Sequence, residues 1–482
     1  MNSTRANTFE QVNLFNADGS PAVQVATGLM AEYLLIPSGL TGFHNVRTDK
    51  LTTGTGKSVY CHLGDFQQSA NDRICNQCGA HMHINNSVNV KLAHLPYGDA
   101  HSCVYFSISQ LRCPVCKNTH MQEIPFKADG HRITKDLEAY ICKLLSEGTH
   151  TNKAIARLTG VNQAIVKDID LKRLKETYTV DGETLKKPER QARYLAIDEF
   201  KLHNGHRFAT LIIDLETGHI LWLARGKKKQ VVYDFIKHVG MAWMKGVIAV
   251  ACDMNADFES AFREKCPHLR TVFDHFHIVK NFNDKVANAV RKDEIKRLLA
   301  EGNTEAVEKL KHSKYIIVAN PETLKKRDSQ SGNVSRKGSG IFSTPTERIK
   351  GGREMKALEL KLENELFLDV EIVREKLADA YRQDDEALMH KAVRNIIDYC
   401  RYANENSHFD WFANLLESHI DGIVSHASIP IASGKIEGIN NKIKTLRRMC
   451  YGLPDDEYFF LKLLDMSRNN QGKRLKSKDV YY

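Results

Sequence analysis

The sequence predicts a multidomain α/β protein. Between residues 193 and 275, short apolar runs alternate with amphipathic helical stretches. Upstream lie two Cys-x-x-Cys pairs, at 75–78 and 113–116. Downstream, residues 276–429 read mostly as helices rich in Lys, Glu and Arg. A chain of 482 residues suits several domains and leaves ample material for a core. Its net charge of +10 is compatible with a nucleic-acid partner. No run of about 18 apolar residues reads as a membrane span, and the first residues lack a signal-peptide pattern. The expected location is therefore the cytoplasm. There, the eleven cysteines should be reduced thiols or metal ligands.

Residues 1–60 are polar and carry no readable motif. Residues 61–128 read as a zinc-binding module. Cys75, Cys78, Cys113 and Cys116 form two knuckles suited to a closed, tetrahedral thiolate site for structural Zn²⁺. The loop between knuckles is long for this template. Cys61, Cys103, His81 or His83 could replace one ligand. Two unrelated pairs, or a redox Cys-x-x-Cys, are the plainer alternatives.

Residues 129–180 read as helices. "TNKAIARLTGVNQAIVKDI" fits a helix-turn-helix: Ile155 and Ala156 face the core, Gly160 allows the turn, and Val161, Ile165 and Val166 hold the second helix. Gln163, Lys167 and Lys172 could then face DNA. An ordinary helical hairpin would show the same apolar pattern. Residues 179–192, with Gly, Pro and alternating charge, read as a linker.

From 193, "RYLAIDEF", "RFATLIIDL" and "HILWLA" read as strands, with a turn at "ETG". "KQVVYDFIKHVGMAWMK" follows as one helix, then "GVIAVACD" as a strand, "ADFESAFREK" as a helix and "LRTVFD" as a strand. Asp198 ends the run "YLAI" and Asp253 follows "VIAVAC". In an open α/β sheet, such positions point into the crevice where ligands bind. Glu199 is the neighbour of Asp198, and on a strand it faces the other way. Residues 326–340 look flexible, and the tail 471–482 is basic.

"SGKIEGINNKIKTLRRM", residues 433–449, reads as an amphipathic helix with Ser433 as N-cap. Its charges are positive except Glu437. The helix macrodipole alone favours a glutamate in the first turn. A third carboxylate beside Asp198 and Asp253 would instead complete an oxygen-ligand site for Mg²⁺ or Mn²⁺. Two such ions serve phosphodiester chemistry. Lys444, two turns on, shares a face with Glu437, and Arg447 and Arg448 extend the basic surface. These cations read as DNA contacts; a solvated helix face is the plainer reading.

Four motifs, "AIDEF", "ACDMNADF", "VFDHFHIVKN" and "SGKIEGINNKIKTLRRMCYG", resemble the DDE transposases of the ISL3 insertion-sequence family. The resemblance runs from about residue 70 to 470. It implies a ribonuclease H-like catalytic domain at 193–275 and 430–470, with a helical insertion at 276–429. Carried over by position, Asp198, Asp253 and Glu437 match the catalytic triad, which would hold two Mg²⁺ or Mn²⁺ ions. Asp274 and His277 fall in the family's Asp-x-Phe-His element as supporting residues; a helix N-cap and a core histidine are their plainer readings. The implied partners are double-stranded DNA, as terminal inverted repeats and as target, and further copies of the chain in a homodimer or larger assembly. The implied reaction is cleavage at the repeats and strand transfer by the freed 3′-hydroxyl. A non-catalytic DNA-binding regulator derived from a transposase is the alternative, and a hydrolytic nuclease on the same scaffold is a third reading.

Overall fold

The structure, a computed structural model, describes residues 40–52, 58–67, 73–202, 207–273, 275–331, 352–402, 405–431, 434–450 and 454–468. Ser433, Asp274, most of 326–340 and the tail 471–482 lie outside the described residues. The chain divides into two compact units: residues 1–186 with 446–482, and residues 187–445. The boundary at 186 falls inside the stretch that the sequence marks as a linker. Residues from 446 on, which the sequence reading joins to the catalytic sheet, group with the first unit.

The first unit is built on a sheet that begins earlier than the sequence suggests. Strands β1 (Phe43–Thr52), β2 (Ser58–Phe66), β3 (His83–Tyr97), β4 (Ala100–Arg112) and β5 (Thr119–Met121) run in the order β1-β2-β4-β3, with β5 beside the end of β4. β1 was invisible in the sequence because its residues are mostly polar and part-exposed; antiparallel pairing with β2 specifies it. Phe43, Leu92, Val104, Phe106, Ile108 and Phe126 make the apolar layer under the sheet.

Three helices follow: α1 (Lys135–Ser146), α2 (Asn152–Thr159) and α3 (Gln163–Tyr178). Each start is capped as its sequence requires: Thr134, Thr151 and Asn162 accept from Leu137, Ala154 and Ala164 N–H. Ile155, Val161 and Val166 are buried together with Leu137 and Ile141. Gly160 sits at φ +72° with the His101 ring 2.8 Å from where a Cβ would stand, so both backbone and space demand glycine there.

The second unit carries a five-stranded mixed sheet: β6 (Tyr194–Lys201), β7 (Phe208–Asp214), β8 (Ile220–Arg225), β9 (Ala249–Cys252) and β10 (Arg270–Phe273), in the order β10-β9-β6-β7-β8. β6, β7 and β8 are an antiparallel meander; β9 and β10 add parallel on the other side of β6. Strands buried on both faces read as continuous apolar runs, as β9 does. The expected single helix after β8 is broken by Gly240 at φ +90° into α4 (Lys229–Val239) and α5 (Met241–Met244). Helix α6 (Ala256–Lys265) makes the β9–β10 crossover.

After β10 comes the helical stretch: α7 (His275–Phe282), a π-turn at Asn283–Ala287, then α8 (Asn288–Ala300), α9 (Thr304–Leu310), α10 (Lys314–Ile317), α11 (Pro321–Ser331), α12 (Arg353–Glu363), α13 (Glu365–Ala380), α14 (Glu386–Tyr402), α15 (Ser407–Ser418) and α16 (Ile420–Ser428). One continuous core joins these helices to the sheet, from Leu195 and Val250 through Phe282 to Phe409 and Phe412. Helix α17 (Gly434–Met449) then buries Ile436, Ile439 and Ile443, the residues whose spacing predicts the helix. Helix α18 (Asp456–Arg468) packs on α3 within the first unit.

Candidate carboxylate site and cysteine cluster

The strand register puts two of the three singled-out carboxylates side by side. The parallel β6–β9 ladder ends with Ile197 opposite Cys252. Asp198 and Asp253 are the next residues along the chain, Asp198 still within β6 and Asp253 just past β9. β6 itself runs on to Lys201, because it keeps pairing with β7. Asp198 therefore ends a ladder rather than a strand. Each aspartate accepts the next residue's backbone N–H: Glu199 to Asp198 Oδ1 at 2.8 Å, Met254 to Asp253 Oδ1 at 2.7 Å.

Around them the electrostatics differ. Burial pushes the Asp198 carboxyl up, and the neighbouring Asp253 adds to this against the Glu199 N–H, His277 and Asn440. Burial also pushes Asp253 up, but His277, with Nδ1 3.4 Å from Oδ1, together with the Met254 N–H and the Lys280 charge outweighs it and holds that carboxyl down. Glu199 turns to other partners: Lys227 Nζ and Asn255 Nδ2, each at 3.4 Å. Asn255 also caps α6.

Glu437 is exposed in the first turn of α17. Asn440, three residues later on the same face, donates through Nδ2 to Asp198 Oδ2 at 2.6 Å. Lys435 is not part of a free basic face: its Nζ donates to the carbonyls of Leu215 and Glu216 at 2.6 and 2.8 Å. The oxygens of Asp198, Asp253 and Glu437 do not all come within 4.8 Å of one another. The structure thus sets the two aspartates beside the same ladder end and ties the helix of Glu437 to Asp198 through Asn440. Lys444 and Arg448 are exposed, while the Arg447 guanidinium lies over the Phe459 ring. Sequence reasoning missed Asn440, Asn255 and Lys227. Only Asn440 carried a signal, its i+3 spacing from Glu437.

The cysteines do converge. The Sγ atoms of Cys75, Cys78, Cys113 and Cys116 all lie within 4.8 Å of one another. Three pairs measure 3.5, 3.4 and 3.7 Å. A tetrahedron of thiolates about 2.3 Å from an ion has edges of about 3.8 Å, so the set fits a metal ion. The long spacing between knuckles is the β3–β4 hairpin: β3 starts after the first, β4 ends before the second, and His83 pairs with Arg112. The knuckles match in detail. Gly79 and Lys117, each four residues past a first cysteine, take φ +71° and +61°. The Gln77 and Cys78 backbone N–H groups hold the Cys75 thiol down at about 6, while, against the Asn118 N–H, burial and the neighbouring cysteines push Cys116 up to about 12. Cys61 and Cys103 stand opposite each other on β2 and β4, and they and the His81 and His83 side chains are not in the cluster.

The helix-turn-helix candidates sit differently. Gln163 is exposed at the start of α3. Lys167 pairs with Asp455 at 3.0 Å and lies over the Tyr458 ring. Lys172 faces Glu138 at 3.8 Å, and Lys175 pairs with Glu457 at 2.7 Å. Arg173 bonds both Asp170 and Asp465 at 2.8 Å. Every cation of α3 thus has an acidic partner.

A family model described as transposase, of the DDE type and ISL3 group, matches residues 195–463. That is more than half of the chain, and the chain belongs to this transposase family. It is 25% identical, over 410 residues, to the transposase for insertion sequence element IS1001 of Bordetella parapertussis, covering 85% of this chain and 91% of that one. It is 26% identical over 157 residues to the transposase for insertion sequence element IS1557 of Mycobacterium tuberculosis, covering 28% of this chain and 35% of that one. Among the described residues no helix is long and apolar enough to cross a membrane.

Proposed function

We propose that the chain binds the terminal inverted repeats of an insertion sequence and catalyses metal-dependent cleavage and strand transfer there. The observation that carries this reading is the pair Asp198 and Asp253, each just past the end of the parallel β6–β9 ladder, with the Glu437 helix bonded to Asp198. The strand order, an antiparallel meander extended by two parallel strands, supports a ribonuclease H-like sheet into which residues 276–429 are inserted.

Asp198, Asp253 and Glu437 would hold Mg²⁺ or Mn²⁺; their oxygen-only donor set suits hard cations. Bound there, such ions would supply Lewis-acid chemistry for attack on a phosphodiester, with Asp198 and Asp253 as the ligands on the sheet and Glu437 as the ligand on the helix. His277 holds the Asp253 carboxylate in orientation. Lys444 and Arg448 meet the phosphate backbone beside the cut, and Arg447 borders the same surface.

The four cysteines would hold structural Zn²⁺ at the end of the β3–β4 hairpin, and α2–α3 serve as the DNA-reading helix-turn-helix. Gln163 is open to a base edge as it stands. Lys167 reaches a phosphate by exchanging Asp455 for it, an exposed pair of the kind worth little in water. Cutting two ends together implies a dimer or larger assembly on DNA, working in the cytoplasm at the nucleoid.

The test is strand cleavage of a duplex carrying the element's own ends, with Mg²⁺ or Mn²⁺, comparing wild type with Glu437→Gln. Cleavage by wild type alone supports the reading. Equal cleavage by both refutes the role of Glu437. Specific binding without cleavage by either, at matched ends, would favour the non-catalytic regulator.

A further inference from the structure

Asn440 bonds helix α17 to the aspartate pair: its Nδ2 donates to Asp198 Oδ2 at 2.6 Å. Asp198 Oδ1 is meanwhile fixed by the Glu199 N–H. Both carboxylate oxygens of Asp198 therefore have a donor, one from its own strand and one from the helix of Glu437. The amide can point only one way, since the reverse would set its oxygen against a carboxylate. Its Oδ1 is then buried without a hydrogen-bond partner among the described residues. A buried acceptor left empty is disfavoured, so a position beside a hydrated cation gives it a use.

Helix α17 does not need this bond in order to dock. Ile436, Ile439 and Ile443 bury its apolar face, and Lys435 anchors its first turn to the Leu215 and Glu216 carbonyls. The bond's consequence is local: it fixes the turn bearing Glu437 relative to Asp198.

We propose that Asn440 is a positioning residue for the ion site. Its Nδ2 orients the Asp198 carboxylate and sets Glu437 at its working distance, and its Oδ1 accepts from a hydration water of the bound divalent cation. This deepens the reading of Asp198, Asp253 and Glu437 as ion ligands and rests on it. Partners that orient a ligand typically change metal affinity by about 10–100-fold.

The experiment titrates the full chain with Mn²⁺, reading free Mn²⁺ by electron paramagnetic resonance, for wild type, Asn440→Ala, Asn440→Asp, Asp198→Asn and Glu437→Gln. Thermal melts with and without Mn²⁺ run alongside. Asn440→Ala should weaken Mn²⁺ binding about tenfold while the metal-free melt stays near wild type. Asn440→Asp puts a second carboxylate against Asp198, so its metal-free melt should fall and Mn²⁺ should raise it by more than in wild type. Unchanged Mn²⁺ affinity in Asn440→Ala, with Asp198→Asn and Glu437→Gln impaired, overturns the role of Asn440 alone. Unchanged affinity in all the variants overturns the ion-site reading and this proposal with it.

Discussion

Replacing Asp170 by alanine tests how α18 is held to α3. Asp170 is fully buried and accepts from Arg173 at 2.8 Å, Tyr458 Oη at 2.7 Å and Lys462 Nζ at 2.8 Å. Arg173 also reaches Asp465, which accepts in turn from Tyr458's counterpart on α3, Tyr178. Two cations face two carboxylates, so the group is neutral as a whole. Without Asp170, Arg173 keeps Asp465, but Lys462 loses its carboxylate while remaining largely buried. Removing one partner of a buried charge pair costs about 3–5 kcal/mol. For a unit of this size that is a fall in melting temperature of roughly 6–20 °C. Trp222, Trp243 and Trp411 all lie in the second unit, so amide hydrogen exchange in α3 and α18 is the suitable readout. Exchange there should quicken by roughly a hundredfold or more. A change under about 1 kcal/mol would mean that the group behaves as surface pairs do, and would refute the argument. The pH dependence has a definite sign. Burial pushes Asp170 up, but the Lys462 charge and the bonds from Lys462, Tyr458 and Arg173 outweigh it and hold the carboxyl down. A lowered carboxyl stabilises the fold above its unfolded value of about 3.9 and loses that contribution as pH falls through the folded value. The gap between wild type and variant should therefore be full at neutral pH and close below about pH 4.

Two further outcomes follow from the geometry. Wild-type chain should carry about one zinc per four-cysteine set, and Cys113→Ser should lose it, with faster exchange at the His83–Arg112 end of the hairpin; elemental analysis showing equal zinc in both would refute the cluster as the site. Gly422→Ala should destabilise the second unit by about 1–3 kcal/mol in urea melts followed by tryptophan fluorescence, because the new Cβ meets the Phe273 ring at 2.3 Å, and this overpacking outweighs the ~1 kcal/mol helix-propensity gain; a stabilised variant would show that α16 can shift off β10.

Much of the fold is legible in the sequence because its signals are local. The turn glycine Gly160 and the isoleucine spacing of α17 act over a few residues, and each appears where the pattern puts it. The four cysteines were identifiable as one set from spacing and residue type. The two aspartates stood out because each directly follows an apolar run, "YLAI" before Asp198 and "VIAVAC" before Asp253. β1 escaped because a polar, part-exposed strand has no apolar alternation to read, and Gly240 escaped because one glycine inside an apolar helix pattern does not announce a break.

Residue types and spacing marked the candidates: cysteines in two knuckles, aspartates after two apolar runs, a glutamate in a helix's first turn, and cations along α3 and α17. Which of them meet is a matter of tertiary structure. Asn440 and Asp198 are 242 residues apart, and Lys462 and Asp170 are 292 apart. Periodicity and capping carry no information over such separations. Those contacts are set by the burial of α17 and α18 through their apolar faces, which brings polar groups together that no local pattern pairs.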